Sequence, residues 1–421
     1  MSEKTVGLVL AGGHVKGYGV LTHNRTKAAL PFAGHYRVID FALSNLSNSH
    51  ITNIGIITQY LPGSLIEHIG GGDAWDLHGS GRMIKIMPPF VGVKHTTWFR
   101  GTTDAIMRNM NFVRDLDADE VMILSGEHIY HMDYAKALAF HRERNADLTI
   151  VGKRMPREKL SLSYGFIQAA DGRVTMFKEK PNDYISDLVS IGIYIFKRDV
   201  LEEELAARGE SGSTQNLVYD VIEPLYQTRK VFAYEFDGFW DYVRTVNDYY
   251  GISMSLLQGD PPVKPAEWEI VTNLEDRSLD SRNPVFFGKS AVAGESLISP
   301  GCRIEGRAVN SILSPGVIIE EGASVENSII MHDCVVRQGA RVKSVIADKN
   351  VVFERDCIVG GRFTRETENT ELPVSSAGLT VVGKGVIIGE KVEVGGCSQV
   401  YPDMDLRSYA GTRFAPGVNI K

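Results

Sequence analysis

The chain predicts an α/β domain built on a mostly parallel sheet, followed by a parallel β-helix of triangular section. Two observations carry this. Early in the chain, short β-branched runs alternate with segments of helical spacing, a pattern of βαβ units whose sheet is covered on both faces. Later, β-branched pairs recur every five or six residues with Gly, Asn or Asp between them, as in stacked coils of three short strands.

Val6–Leu10 reads as a buried strand running into Gly12-Gly13, which can bring backbone N–H groups against a pyrophosphate. Asn53–Thr58, Glu120–Leu124 and Asp147–Val151 read as further strands, with Val38–Ser47 and Thr102–Arg114 as helices between them. Ligands in such sheets sit beyond the carboxyl ends of the strands, so the loops after Leu10, Leu124 and Ser190 are the ones to inspect. DPPVKP marks a linker, residues 258–284, between a first domain of residues 1–257 and a second of residues 285–421. In the second, NSIL, NSII and KSVI begin at Asn310, Asn327 and Lys343, after steps of 17 and 16 residues. A polar excursion at Arg362–Ser376 interrupts the pattern, which resumes from Gly378.

A chain of 421 residues can hold two or three domains with sizeable cores. Its net charge of -7 argues against nucleic acid or a membrane surface as partner, leaving small molecules and proteins. No apolar run reaches the ~18 residues of a membrane span and the N-terminus lacks a signal-peptide pattern, so a soluble, cytoplasmic protein is expected. Cys302, Cys334, Cys357 and Cys397 form no C-x-x-C pair, and small buried residues are the better reading than zinc ligands or disulfides.

LAGG, RTKAALPFAGHYRVIDFALSNLSNS, IITQY, WFRGTTDAI, LSGEHIYHMDY, FKEKP and SIGIYIF occur in this order. With them the chain resembles the ADP-glucose pyrophosphorylases (glucose-1-phosphate adenylyltransferases) over nearly its full length. The resemblance implies a Rossmann-like nucleotidyltransferase domain followed by a left-handed parallel β-helix. It implies ATP and glucose 1-phosphate as ligands, ADP-glucose and pyrophosphate as products, and Mg²⁺ as cofactor if the chain is active. It also implies small-molecule effectors and a homo- or hetero-tetramer. By the same matching, Leu10, Ala11, Gly12, Gly13, Trp98, Gly101, Thr102 and Asp104 are nucleotide-binding candidates. Glu179, Lys180, Ser190 and Gly192 are sugar-phosphate candidates.

Several positions depart from the family pattern. The family loop reads roughly L-A-G-G-x-G-x-R-L; here Val15 stands at a glycine and Gly17 at the arginine that reaches the triphosphate. The family's G-D-H-I-Y appears as Gly126-Glu127-His128-Ile129-Tyr130, so Glu127 is the candidate for the first metal ligand, one methylene longer. Its W-R-D-V-G-T appears as Trp240-Asp241-Tyr242-Val243-Arg244-Thr245, so Tyr242 takes the second metal position and Arg244 brings a cation near it, either to stand in for Mg²⁺ charge or, the favoured reading, to block the site. Asp241 is adjacent but on a strand faces the other side. The family's D-F-G-K-D, with a phosphate-proximal lysine, appears as Asn216-Leu217-Val218-Tyr219-Asp220. His14, His128 and His131 align near the site and read as packed or solvated imidazoles rather than metal ligands. The candidates left for catalysis are Lys27, Glu127 and Lys16.

The losses fall on groups that act together while the scaffold phrases beside them survive. The expectation is a family member of glycogen or α-glucan synthesis with weak or no turnover of its own, serving as regulatory subunit of a mixed oligomer. Two alternatives stay open: a fully active adenylyltransferase with a rebuilt metal site, and a transferase for another sugar phosphate or nucleotide.

Overall fold

The computed structural model describes residues 4–13, 16–90, 98–212, 215–275, 279, 281–361, 367–372 and 378–421. Nine strands form the sheet of the first domain: β1 (Thr5–Leu10), β2 (Asn53–Ile57), β3 (Met83–Met87), β4 (Glu120–Ser125), β5 (Leu148–Arg154), β6 (Gly165–Ala170), β7 (Arg173–Glu179), β8 (Leu188–Lys197) and β9 (Val231–Glu235). Their order is β3-β2-β1-β4-β8-β5-β9-β7-β6. The β1 strand runs parallel to both β2 and β4. The chain leaves β1 toward one edge and returns to its other side at β4, and the crevice between their carboxyl ends is the switch point where such sheets take ligands.

Period two explains how β1 is covered. Val6 and Leu8 point into one apolar cluster with Ile106 and Val113 of the helix Thr102–Asp115. Val9 points into the other, with Ile39 and Leu43 of the helix Val38–Asn48. A fully buried Val or Leu contributes roughly 1.5–3 kcal/mol, so these alternating faces fix the register.

The sheet is more mixed than the βαβ reading implies. The β8 strand lies antiparallel to β4 and β5, and β7 antiparallel to β6 and β9. The β6–β7 hairpin closes on Asp171-Gly172, both in the left-handed region (φ 50° and 79°), a turn that Asp-Gly favours.

The second domain is a left-handed β-helix whose short strands, among the described residues, stack into three parallel sheets of six, seven and seven strands. Ile312 pairs with Ile329, and Ile329 with Ile346, one coil apart. The corners before them explain the repeated motif. Asn310, Asn327 and Ser344 have φ of 45°, 49° and 55°, a conformation asparagine tolerates better than most residues. The Asn310 amide also donates to Asn327 Oδ1 at 2.7 Å, stacking the corners. Cys302, Cys334, Cys357 and Cys397 are buried as free thiols.

A further apolar cluster joins the domains, with Tyr18, Leu21, Phe32 and Tyr249 packed against Ile312, Ile329, Met331 and Val381. Arg25 reaches into the β-helix and donates to Asp348. Val20 N–H donates to Gln399 Oε1 at 3.1 Å. The segment Lys16–Thr22, which follows the diglycine loop, is thus clamped on the second domain.

Candidate functional site

A cavity of about 500 Å³ opens at the carboxyl ends of β1 and β4. Gly12 and Gly13 form one lip. Gly12 runs so close to the next loop that a Cβ would lie 2.7 Å from Gln59 N, and Gly13 faces Glu127. Gln59 clasps the backbone of Phe99, accepting from its N–H at 2.6 Å and donating to its carbonyl at 3.4 Å. Beyond it, a Cβ on Gly101 would fall 1.6 Å from the Gln215 carbonyl oxygen, so only glycine fits that wall. Thr102 Oγ1 accepts from Leu217 N–H at 2.9 Å.

The far wall carries Glu179, Lys180, Ser190 and Gly192. Lys180 sits at φ 44°, pinned by its N–H donating to the Tyr164 carbonyl at 3.0 Å, with its ammonium 3.7 Å from Glu179. Burial pushes the Glu179 carboxyl up, with Lys180 opposing. Ser190 Oγ accepts from Gly192 N–H and donates to the Tyr194 hydroxyl. Gly192, at φ 72°, passes within 3.3 Å of His128 as measured from a Cβ placed on it.

The floor is an antiparallel ribbon, Ile129–Tyr130 against Trp240–Asp241, with Asp241 opposite Ile129. Alternation turns Trp240 and Tyr242 into the cavity and leaves Asp241 off its lining. Burial, then the neighbouring Asp248, pushes the Asp241 carboxyl up to about 6. The Tyr242 ring packs edge-on against His128 at 4.6 Å between centroids, and burial raises its phenol to about 12. His128 Nδ1 accepts from Trp240 Nε1–H at 3.2 Å, and the ring also bonds the Ile191 backbone. Burial, then the Lys27 charge, holds His128 down at about 3, so the imidazole is neutral.

Behind this floor Lys27 is 1% exposed. Its ammonium lies 3.8 Å from Glu127 Oε2 and 4.6 Å from the Tyr242 ring centroid. Burial pulls Lys27 below the usual lysine value against the attraction of Glu127, and burial pushes Glu127 up against the attraction of Lys27.

Of the residues expected from sequence, Leu10, Gly12, Gly13, Gly101, Thr102, Glu127, Glu179, Lys180, Ser190 and Gly192 surround this one cavity. Four others lie off it. Ala11 is packed in the core, and Lys27 is sealed behind Glu127 and Tyr242. Asp104 turns into its own helix, accepting from Arg100 N–H and pairing with Arg108 at 2.8 Å. Trp98 is 65% exposed and stands outside the lining. His14, Val15 and the Lys16 side chain lie outside the described residues. Arg244 is off the lining, but its guanidinium is held at the cavity wall, donating to the Ser161 and Ser163 hydroxyls and lying 5.2 Å over the Tyr164 ring. His131 stacks on Trp268, away from His128.

A divalent ion such as Mg²⁺ needs hard oxygen donors at near-octahedral positions. Here Glu127 already faces an ammonium, Tyr242 offers a ring face, and His128 is spent on Trp240 and Ile191. Among the described residues no group of three His, Cys, Asp or Glu side chains is placed to hold a metal. The donor set does not fit the ion.

The family sequence model for Nucleotidyl transferase matches residues 6–259, and that for the GlmU-like, C-terminal hexapeptide matches residues 286–382. The glucose-1-phosphate adenylyltransferase of Desulfitobacterium hafniense (strain Y51) is 35% identical over 393 residues, covering 92% of this chain and 96% of the relative. The chain belongs to the glucose-1-phosphate adenylyltransferase family of nucleotidyl transferases. Its likeness to other members is similar: the protein of that name from Fervidobacterium nodosum is 34% identical over 397 residues, covering 93% of this chain and 94% of the relative. The one from Clostridium perfringens (strain SM101 / Type A) is 35% identical over 413 residues, covering 95% and 100%.

Within this family member the cavity also uses residues that sequence reasoning passed over: Gln59, Phe99, Ser125, Tyr164, Ile191, Tyr194 and Trp240. A signal existed for Gln59, which follows the carboxyl end of β2 as surely as Gly12 follows β1. Trp240 was legible from its period-two relation to Tyr242. Tyr164 and Tyr194 come from the β6–β7 side of the sheet and from mid-β8, where the local pattern carries no pointer to a cavity.

Proposed function

We propose that the chain keeps the family's ligand pocket, taking a nucleotide such as ATP and the sugar phosphate glucose 1-phosphate, while contributing weak or no formation of ADP-glucose on its own. It then acts as the regulatory or structural subunit of a mixed oligomer with a catalytic homologue, in the cytoplasmic synthesis of glycogen or a related α-glucan. The observation that carries this reading is the arrangement of Lys27, Glu127 and Tyr242. Where a metal-dependent transferase needs paired carboxylates, the site has one carboxylate engaged by a buried ammonium and an aromatic ring. The sugar-side residues Glu179, Lys180, Ser190 and Gly192, gathered around one cavity, support retained binding.

The test is pyrophosphate release from the purified chain with ATP, glucose 1-phosphate and Mg²⁺, beside Lys180→Ala. Release no greater than in that variant is expected, with glucose 1-phosphate binding still measurable by calorimetry. Release well above the variant would return the chain to the active adenylyltransferases. A homologue carrying the intact loop and both metal aspartates is expected to co-purify with it when both are expressed together.

A further inference from the structure

Lys27 occupies an unusual setting for an ammonium. It is enclosed by two aromatic rings, 5.6 Å from the Tyr18 centroid and 4.6 Å from that of Tyr242, with Glu127 Oε2 3.8 Å away. A buried charge survives only where partners compensate it, and here Glu127 and two ring faces do so, with Asp248 and Asp241 adding attraction. The compensation works in both directions. Glu127 is the cavity-lining carboxylate at the end of β4, and Lys27 cancels the charge that would otherwise draw in a cation and repel a phosphate. The facing strand turns no second carboxylate into the cavity. Tyr242 points a ring there, and Asp241 is turned off the lining by the ribbon's register.

We infer that Lys27 is a resident counter-cation that takes the electrostatic place of a divalent ion in this pocket, so that a phosphorylated sugar binds here without a metal. The inference rests on the proposed function in one respect, that the pocket still takes the family's ligands. Lys27 acts through Glu127 rather than by touching the ligand, because Glu127 and Tyr242 stand between its ammonium and the cavity. Among the described residues, Lys180, half exposed at the rim, is the lysine on the lining and is placed to meet the phosphate directly.

The experiment is calorimetric titration of the full-length chain with glucose 1-phosphate and, separately, with ADP-glucose, each in EDTA and in millimolar Mg²⁺. For the unaltered chain the two dissociation constants are expected to agree within about twofold. Tyr242→Asp adds a second carboxylate opposite Glu127, and its binding is expected to tighten about tenfold or more when Mg²⁺ replaces EDTA. Titration with Mn²⁺ alone, followed by electron paramagnetic resonance, is expected to find no site in the unaltered chain. Binding by the unaltered chain that tightens tenfold with Mg²⁺ overturns this inference and leaves the proposed ligand pocket standing. Failure of both sugar ligands to bind in either buffer overturns the two together. If Tyr242→Asp does not fold, the EDTA comparison and the Mn²⁺ titration on the unaltered chain still decide.

Discussion

Gly17 lies directly against the backbone of Arg244: a Cβ on Gly17 would sit 2.6 Å from the Arg244 carbonyl oxygen. Two departures from the family pattern, far apart in the chain, are therefore one contact in space. The Arg244 backbone is fixed, because its N–H and that of Thr245 both donate to Asp248 Oδ2 in the cap of the following helix. Restoring the loop arginine by Gly17→Arg is accordingly expected to destabilise the fold by about 1–3 kcal/mol through overpacking. It is also expected to leave pyrophosphate release unchanged. Urea unfolding and the release assay check the two halves, and a stable variant with new turnover would contradict both.

His128 makes stability fall in acid. Its folded pKa, about 3, lies below the unfolded value of 6.5, so the unfolded chain binds the extra proton first. Its contribution is complete above pH ~6.5 and declines toward pH 3, by about 1.4 kcal/mol per pH unit in that window. His128→Gln, which keeps a hydrogen-bonding side chain without the titration, is expected to flatten that part of the profile. The check is the difference in unfolding free energy between the two proteins measured across the window.

Asp241 works in the opposite sense. Its carboxyl rises from 3.8 to about 6 on folding, so between these values the native state holds more protons than the unfolded one and stability drops as pH rises. Above pH 6 the ionised carboxylate is a net cost. Asp241→Asn is expected to gain on the order of 1–3 kcal/mol at neutral pH and nothing near pH 4, read from urea midpoints at both.

These effects mark where the sequence is informative. The two-faced burial of β1 and the Asn corners of the β-helix follow from local rules, since period two and left-handed φ leave direct traces in residue choice. The side taken by Tyr242 against Asp241 was legible for the same reason. The Gly101–Gln215 wedge and the Gly17–Arg244 contact were not, because each depends on how distant loops meet. Arg244 illustrates the limit: its neighbours in sequence suggested a cation at the metal position, whereas Ser161, Ser163 and Tyr164 capture it. Likewise Lys27 matched a family position, but its enclosure by Tyr18 and Tyr242 is a tertiary fact.

The link between the domains gives the last prediction. Arg25 donates to Asp348 at 2.7 Å, and both side chains are almost wholly buried, at 4% and 2% exposed. Removing one member leaves the other as an uncompensated buried charge, which typically costs ~3–5 kcal/mol, more than the pair's net worth. Arg25→Ala is therefore expected to lower the urea midpoint far more than the double variant Arg25→Met with Asp348→Leu, whose apolar side chains can refill the space. Salt is expected to change the unaltered midpoint little, because solvent ions screen a buried pair weakly. Equal losses in the single and double variants would mean that packing, rather than charge, holds Arg25 in place. If charge holds it, then Asp348 anchors the chain only a few residues beyond the Lys16–Thr22 segment, and Arg25→Ala should weaken glucose 1-phosphate binding while Lys180 and Glu179 remain untouched.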